Sequence, residues 1–136
     1  MKGLPRANAR GKGASMAITK ITPVKMADVN EISAAVAFTA ATAAADGFSI
    51  PMQEQDAKTV LLFQNTDTAA AHSAVVKKGN GIQGVVDLAT GDIAASAIVA
   101  LTVDSGAFKN VTGDNKGCVV VVPDDAKLKM AVVVLP

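Results

Sequence analysis

From Met16 onward, apolar and polar positions change over short runs separated by turn-forming clusters, the pattern of β-strands rather than of amphipathic helices. In Ala17–Thr22, Ile18, Lys20 and Thr22 alternate with Thr19 and Ile21, and Pro23 ends or edges the strand. Ala27–Glu31 is short and polar and could form one helical turn. Ser33–Ala45 pulls both ways, since alanine favours helix while Val36, Phe38 and Thr39 favour strand. The pattern favours a strand near Ala35–Ala40, then a loop through Asp46 and Gly47 to Pro51.

The punctuation then becomes regular. Thr59–Gln64 reads as a buried strand closed by the turn chemistry of Asn65-Thr66-Asp67-Thr68. Ser73–Lys78 ends at Gly79-Asn80-Gly81, Ile82–Leu88 at Thr90-Gly91-Asp92, and Ala95–Val103 at Asp104-Ser105-Gly106. A brief strand at Phe108–Val111 precedes the turn Gly113–Gly117, and Cys118–Val122 stops at Pro123-Asp124-Asp125. Lys127–Leu135 is the last strand; its run Met130–Leu135 does not alternate, which predicts cover on both faces by a central position or a subunit contact. About eight short strands at this spacing predict an all-β fold, an antiparallel β-sandwich or jelly-roll-like barrel with an extended N-terminal arm. No long helical pattern separates the strands, so a parallel α/β fold is not expected.

Composition qualifies this picture. The chain of 136 residues fits one domain, and half its residues are apolar, yet it has only four Phe and neither Trp nor Tyr. Small apolar side chains gain little, at about 25 cal/mol per Å² buried, so the domain is expected to draw stability from neighbouring subunits. The lone Cys118 cannot form an internal disulfide and reads as a small buried hydrophobe. No apolar stretch has the length of a signal-peptide core or a membrane span.

Charge divides the chain in two. Residues 1–15 carry Lys2, Arg6, Arg10 and Lys12 and no acid, whereas residues 16–136 hold nine Lys against twelve acids, net −3. The expected organisation is a basic extended arm, 1–15, and one β domain, 16–136. Glycine and proline between the basic residues rule out a stable isolated helix. The arm has no aromatic side chain to stack on bases, so nucleic acid is not the expected partner. Lys2, Arg6, Arg10 and Lys12 are the candidate contacts to a partner protein surface.

No catalytic pattern stands out. Gly79, Gly81 and Gly84 spell G-x-G-x-x-G, but the following residues to Gly91 are too soon broken for the helix a dinucleotide site requires, so hairpin glycines are the better reading. His72, the single histidine, neighbours Ser73 and Asp67, yet no nucleophile elbow or oxyanion loop accompanies them; a loop histidine at a strand entrance is expected. One His and one Cys make no zinc set, and the scattered turn aspartates suit Asx turns better than a Ca²⁺ loop. No cofactor, metal or small-molecule substrate is expected, and Asn110-Val111-Thr112 is a glycosylation sequon only if a secretory route exists.

Several stretches together carry a likeness. They are Leu62–Asp67, Val76–Val85, Leu101–Gly113, Asn115–Val121 and Val132–Pro136. With these the chain from Met16 resembles a family of small tailed-bacteriophage and prophage virion proteins; Ala107 and Cys118 stand where larger residues would be expected, and the arm is outside the likeness. The resemblance implies a capsid decoration or cement protein without catalytic residues, made in the host cytoplasm and located on the capsid surface. Its implied partners are the major capsid protein and further copies of itself, a trimer among the options. The alternatives are a tail or head–tail junction component, distinguished by copy number, and a host-glycan-binding module, which the lack of Trp and Tyr disfavours.

Overall fold

The computed structural model describes residues 18–82 and 86–136 of the chain. Among these, the strands are β1 (Thr19–Lys20), β2 (Val24–Lys25), β3 (Phe48–Pro51), β4 (Thr59–Asn65), β5 (Ala74–Val76), β6 (Leu88–Ala89), β7 (Ile98–Leu101), β8 (Cys118–Pro123) and β9 (Leu128–Val134). Among the described residues helix is confined to a 3-10 turn at Asp56–Lys58 and one turn, α1, at Ser105–Phe108. The chain is all-β, as its punctuation implies. One sheet has the order β2-β9-β4-β7 and the other β1-β3-β8-β5-β6.

Two features of the expected architecture are corrected. Both sheets are mixed, because β2 runs parallel to β9 and β1 runs parallel to β3, while the other pairings are antiparallel. Pro23 marks the reason: the chain leaves β1 in one sheet, passes through the buried Ile21 and joins the other sheet at β2. Proline lacks the N–H that a continued ladder would use, so it sits where the strand changes partners. Neither sheet closes on itself among the described residues, so no barrel forms.

Inward side chains of both sheets meet in one apolar cluster. It joins Phe48, Ile50, Val76, Val119 and Val121 from one sheet to Leu61, Phe63, Met130 and Val132 from the other. Along β4 burial alternates with period two, placing Thr59, Leu61, Phe63 and Asn65 inside. The non-alternating β9 lies between β2 and β4, and its reverse-face Ala131 is buried as well. Ala35, Ala37 and Thr39 line a surface recess with Ala131 and Val132, and of the two sources of cover expected for this strand the central position is the one observed.

Local differences have local causes. Ala35–Ala40 does not become a strand: only Thr39 pairs, through two backbone hydrogen bonds of 2.8 and 3.0 Å to Met130. Its alanines offer too little side chain to hold an exposed edge in the sheet. Phe108–Val111 is not a strand either; α1 ends there and Lys109 makes a single bridge to Val119. The cluster Asp104-Ser105-Gly106, expected to end a strand, caps this helical turn, with the Gly106 N–H donating to Asp104 Oδ1 at 2.8 Å. Ala27–Glu31 holds a turn with Asn30 at φ 64° and no helix. Of the described residues in the run Ile82–Leu88 only Leu88 enters a strand, and residues 83–85, Gly84 included, lie outside the described residues.

Candidate functional site

Asn65 is the buried root of the most connected polar cluster. Its amide Nδ2 donates to the carbonyls of Ala70, Ile93 and Ala94 at 3.0, 3.0 and 3.3 Å, and its Oδ1 accepts from the Asp67 N–H at 2.9 Å. Asp67 is thereby placed for an Asx turn, in which Oδ1 accepts from the N–H groups of Ala69 and Ala70. Asp67 Oδ2 is left facing His72 Nε2 at 2.9 Å, and Lys127 Nζ stands 3.8 Å away. On the other side of the ring, Nδ1 meets Asp124 Oδ1 at 2.9 Å, while Asp124 Oδ2 accepts from the Ser73 N–H. Asp124, 52 residues distant in the chain, could not be matched to His72 from sequence.

This geometry answers the question raised by His72 and Ser73. Both ring nitrogens are engaged by carboxylates, so neither is left to take a proton from the Ser73 hydroxyl. The imidazolium form can donate to both acids at once, whereas a neutral ring can donate to only one. The Asp67 hydrogen bond, with smaller contributions from Asp124 and Asp125 and against some desolvation, raises the His72 pKa above its usual 6.5. The Ala69 N–H first, and then His72, hold the Asp67 carboxyl down at about 2.

A raised pKa in the folded state favours folding while the histidine is protonated. The contribution is fully present below the unfolded value of 6.5 and is lost as pH rises through the higher folded value. Urea midpoints are expected to fall as pH rises above 6.5 in the wild-type chain and to stay flatter in His72→Gln. Parallel curves for the two proteins would show that the histidine does not fasten these loops. The Asp67 contribution runs the other way, present above 3.8 and lost as pH falls towards about 2.

The second feature is apolar. Large exposed hydrophobic side chains occur in the segment joining β2 to β3 (Val29, Ile32, Val36), around residues 82–86 (Ile82, Val86) and on β7 (Ile98, Val99). Between the edge strands β6 and β7 lies a groove of about 240 Å³, lined by Phe63, Leu88, Ile93, Val99 and Leu101, with Asp92 its one charged lining residue. Leu88 and Val99 are exposed and line this groove, and exposed apolar groups that adjoin one another mark contact surfaces more often than isolated ones do.

A third feature ties together the stretches singled out in the sequence. Asn80 Oδ1 accepts from the N–H groups of Val111 and Thr112, and its Nδ2 donates to the Thr112 carbonyl. The Gly79 N–H donates to the Ala107 carbonyl, and a Cβ at Gly79 would stand 2.4 Å from the Lys109 carbonyl oxygen. Asn110 in turn donates from both its N–H and its Nδ2 to the Cys118 carbonyl. Segments 76–81, 104–112 and 115–121 therefore meet in one corner held by glycine and asparagine. Sequence reading took Gly79 and Asn80 as turn residues; their role in joining distant segments carries no local signal.

The remaining candidates are placed as follows. Lys2, Arg6, Arg10 and Lys12 lie outside the described residues. Cys118 is half-buried on β8 as a free thiol, and Asp87 pairs with Lys77 at 2.9 Å while accepting from the Lys78 N–H. Among the described residues no group of three or more His, Cys, Asp or Glu side chains is arranged to hold a metal ion, and no helix is long and apolar enough to cross a membrane. No protein-family model, characterised protein or solved structure matches the chain.

Proposed function

We propose that this chain is a structural virion protein that binds and stabilises the outer surface of a tailed-phage capsid. In this reading the two sheets stack as a sandwich of jelly-roll kind, and the basic segment 1–15 straps the domain to neighbouring subunits of the major capsid protein. Copies also associate with one another on the shell.

The observation that carries the reading is the corner around Gly79, Asn80 and Asn110. Three of the stretches on which the resemblance was read fold against one another there, and Gly79, Asn80 and Asn110 within them hold backbone to backbone. A likeness carried by such residues is a likeness of scaffold, as suits a protein whose task is to bind. The exposed apolar segments supply surface for that binding, and the net −3 of residues 16–136 sets the basic segment apart as the electrostatic contact.

Removal of residues 1–15 is expected to lower occupancy on purified particles at least tenfold at moderate salt, because each lost cation forfeits attraction to an acidic shell. Occupancy is read by quantitative gel analysis of sedimented particles. Unchanged occupancy would remove the strap from the reading. Density for the protein in a particle reconstruction, with its copy number, would separate a shell position from a tail junction.

A further inference from the structure

The four sheet edges among the described residues are not alike. β1 and β2 have two residues each, carry Lys20 and Lys25 respectively, and flank Pro23; Lys25 is also paired with Glu54 at 2.9 Å. β6 has two residues and follows Asp87. Short strands, lysine and proline are the usual means of blunting an edge. β7 has none of these. Its four residues, Ile98-Val99-Ala100-Leu101, are apolar, and Ile98, Val99 and Ala100 are exposed.

Register tells which groups this edge offers. β7 pairs with β4 through Leu61↔Leu101, Leu62↔Ala100, Phe63↔Val99 and Gln64↔Ile98. The Asn65 N–H donates to the Ala97 carbonyl at 2.9 Å, so residues 97, 99 and 101 turn their backbone groups towards β4. Ile98 and Ala100 turn theirs away, and neither makes a backbone hydrogen bond to a described residue outside the sheet. An outward N–H and C=O at each of two alternate positions can be satisfied in register only by another strand.

We infer that β7 pairs antiparallel with β7 of a second copy about a two-fold axis at Val99, joining two four-stranded sheets into one. The arrangement is self-complementary: Ile98 faces Ala100 of the second copy and Ala100 faces its Ile98, each pair exchanging two hydrogen bonds. No charged side chain lies in β7, so pairing the strand with itself sets no like charges opposite each other. The inference rests on the self-association within the function proposed above and names the strand that provides it.

Size sets the strength. Pairing four residues and covering the groove buries well below the roughly 800 Å² per partner of a stable interface. The pair is therefore weak in dilute solution and forms where copies are concentrated, as on a repeating shell, where effective concentrations reach the millimolar range.

The test is site-directed disulfide trapping of the full chain in a Cys118→Ser background at about 1 mM protein, a level matched to weak pairs. Across a non-hydrogen-bonded antiparallel pair Cα atoms lie about 4.5 Å apart, within disulfide reach, whereas residues 98 of the two copies are diagonal at about 7–8 Å. Val99→Cys is expected to form covalent dimer about tenfold faster than Ile98→Cys. Adding Ala100→Pro, which removes an outward N–H and spares the bonds to β4, is expected to abolish that difference while the circular dichroism stays unchanged. Equal trapping at 98 and 99, no trapping at 99, or trapping indifferent to Ala100→Pro would each overturn the pairing. Particle occupancy is measured separately: lost trapping with occupancy kept overturns this inference alone, and trapping kept with occupancy lost supports it while removing the capsid reading.

Discussion

Alanine at Gly47 is expected to destabilise the protein by about 3 kcal/mol or more, lowering the thermal midpoint by roughly 10 °C. Two costs combine. Gly47 has φ 73°, a left-handed conformation that costs an L-residue about 1–2 kcal/mol. A Cβ built there would also stand 2.3 Å from the Val121 carbonyl oxygen, and that oxygen belongs to the main chain of β8. A flexible side chain could swing aside, but a ladder strand cannot move without disturbing its pairing with β3 at Phe48↔Val121. The consequence extends to function, because the Thr19 N–H donates to the Gly47 carbonyl and docks β1, the strand that the basic segment leads into. On the capsid-binding function proposed above, Gly47→Ala should therefore weaken particle binding as well as stability, whereas Asp46→Ala, next to it, should do neither strongly. A thermal midpoint within about 2 °C of wild type would mean that β8 does not press on this turn.

Asn65 gives the second large effect. Asn65→Ala is expected to cost about 2–3 kcal/mol, through loss of the donor to three carbonyls and the acceptor for the Asp67 N–H. Asn65→Asp, nearly identical in shape, should cost more than Asn65→Ala. It would set a carboxylate oxygen against the carbonyls of Ala70, Ile93 and Ala94 in a site that is 1% exposed. Urea denaturation of the three proteins at neutral pH tests the order wild type, alanine, aspartate. Aspartate tolerated as well as alanine would mean that the amide does not face these carbonyls. Asn65 also positions the approach to β7 by way of Ile93 and Ala94. The same substitutions should accordingly lower the Val99→Cys trapping rate, although residue 65 lies outside the edge itself.

Much of the fold is legible in neighbouring residues. Thr59–Gln64, Cys118–Val122 and Lys127–Leu135 form β4, β8 and β9 because each is a β-branched or apolar run bounded by residues that turn the chain. The central place of β9 also follows from its lack of alternation. Reading fails where a segment's fate depends on what lies opposite. Ala35–Ala40 contributes one bridge and surface cover, since alanines cannot anchor an edge, and Asp104-Ser105-Gly106 caps a helical turn in place of ending a strand. The candidate site was legible only in pieces. Asp67 stands near His72 in the chain, but Asp124 does not, and the arm residues Lys2, Arg6, Arg10 and Lys12 lie outside the described residues.

Local order was written in the chain: an all-β domain, the positions of its longer strands and the separation of a basic segment from a mildly acidic body. These follow from side chains that alternate every second residue and from turn residues whose dihedral preferences are their own. Tertiary structure decided the rest: the sheet each strand joined, the parallel pairings on either side of Pro23, the two acids that hold His72, and the edge of β7 that no described residue pairs. The physical reason is range. A strand satisfies only half of its backbone groups with each neighbour, and which distant segment supplies the other half depends on competition for burial across the whole chain.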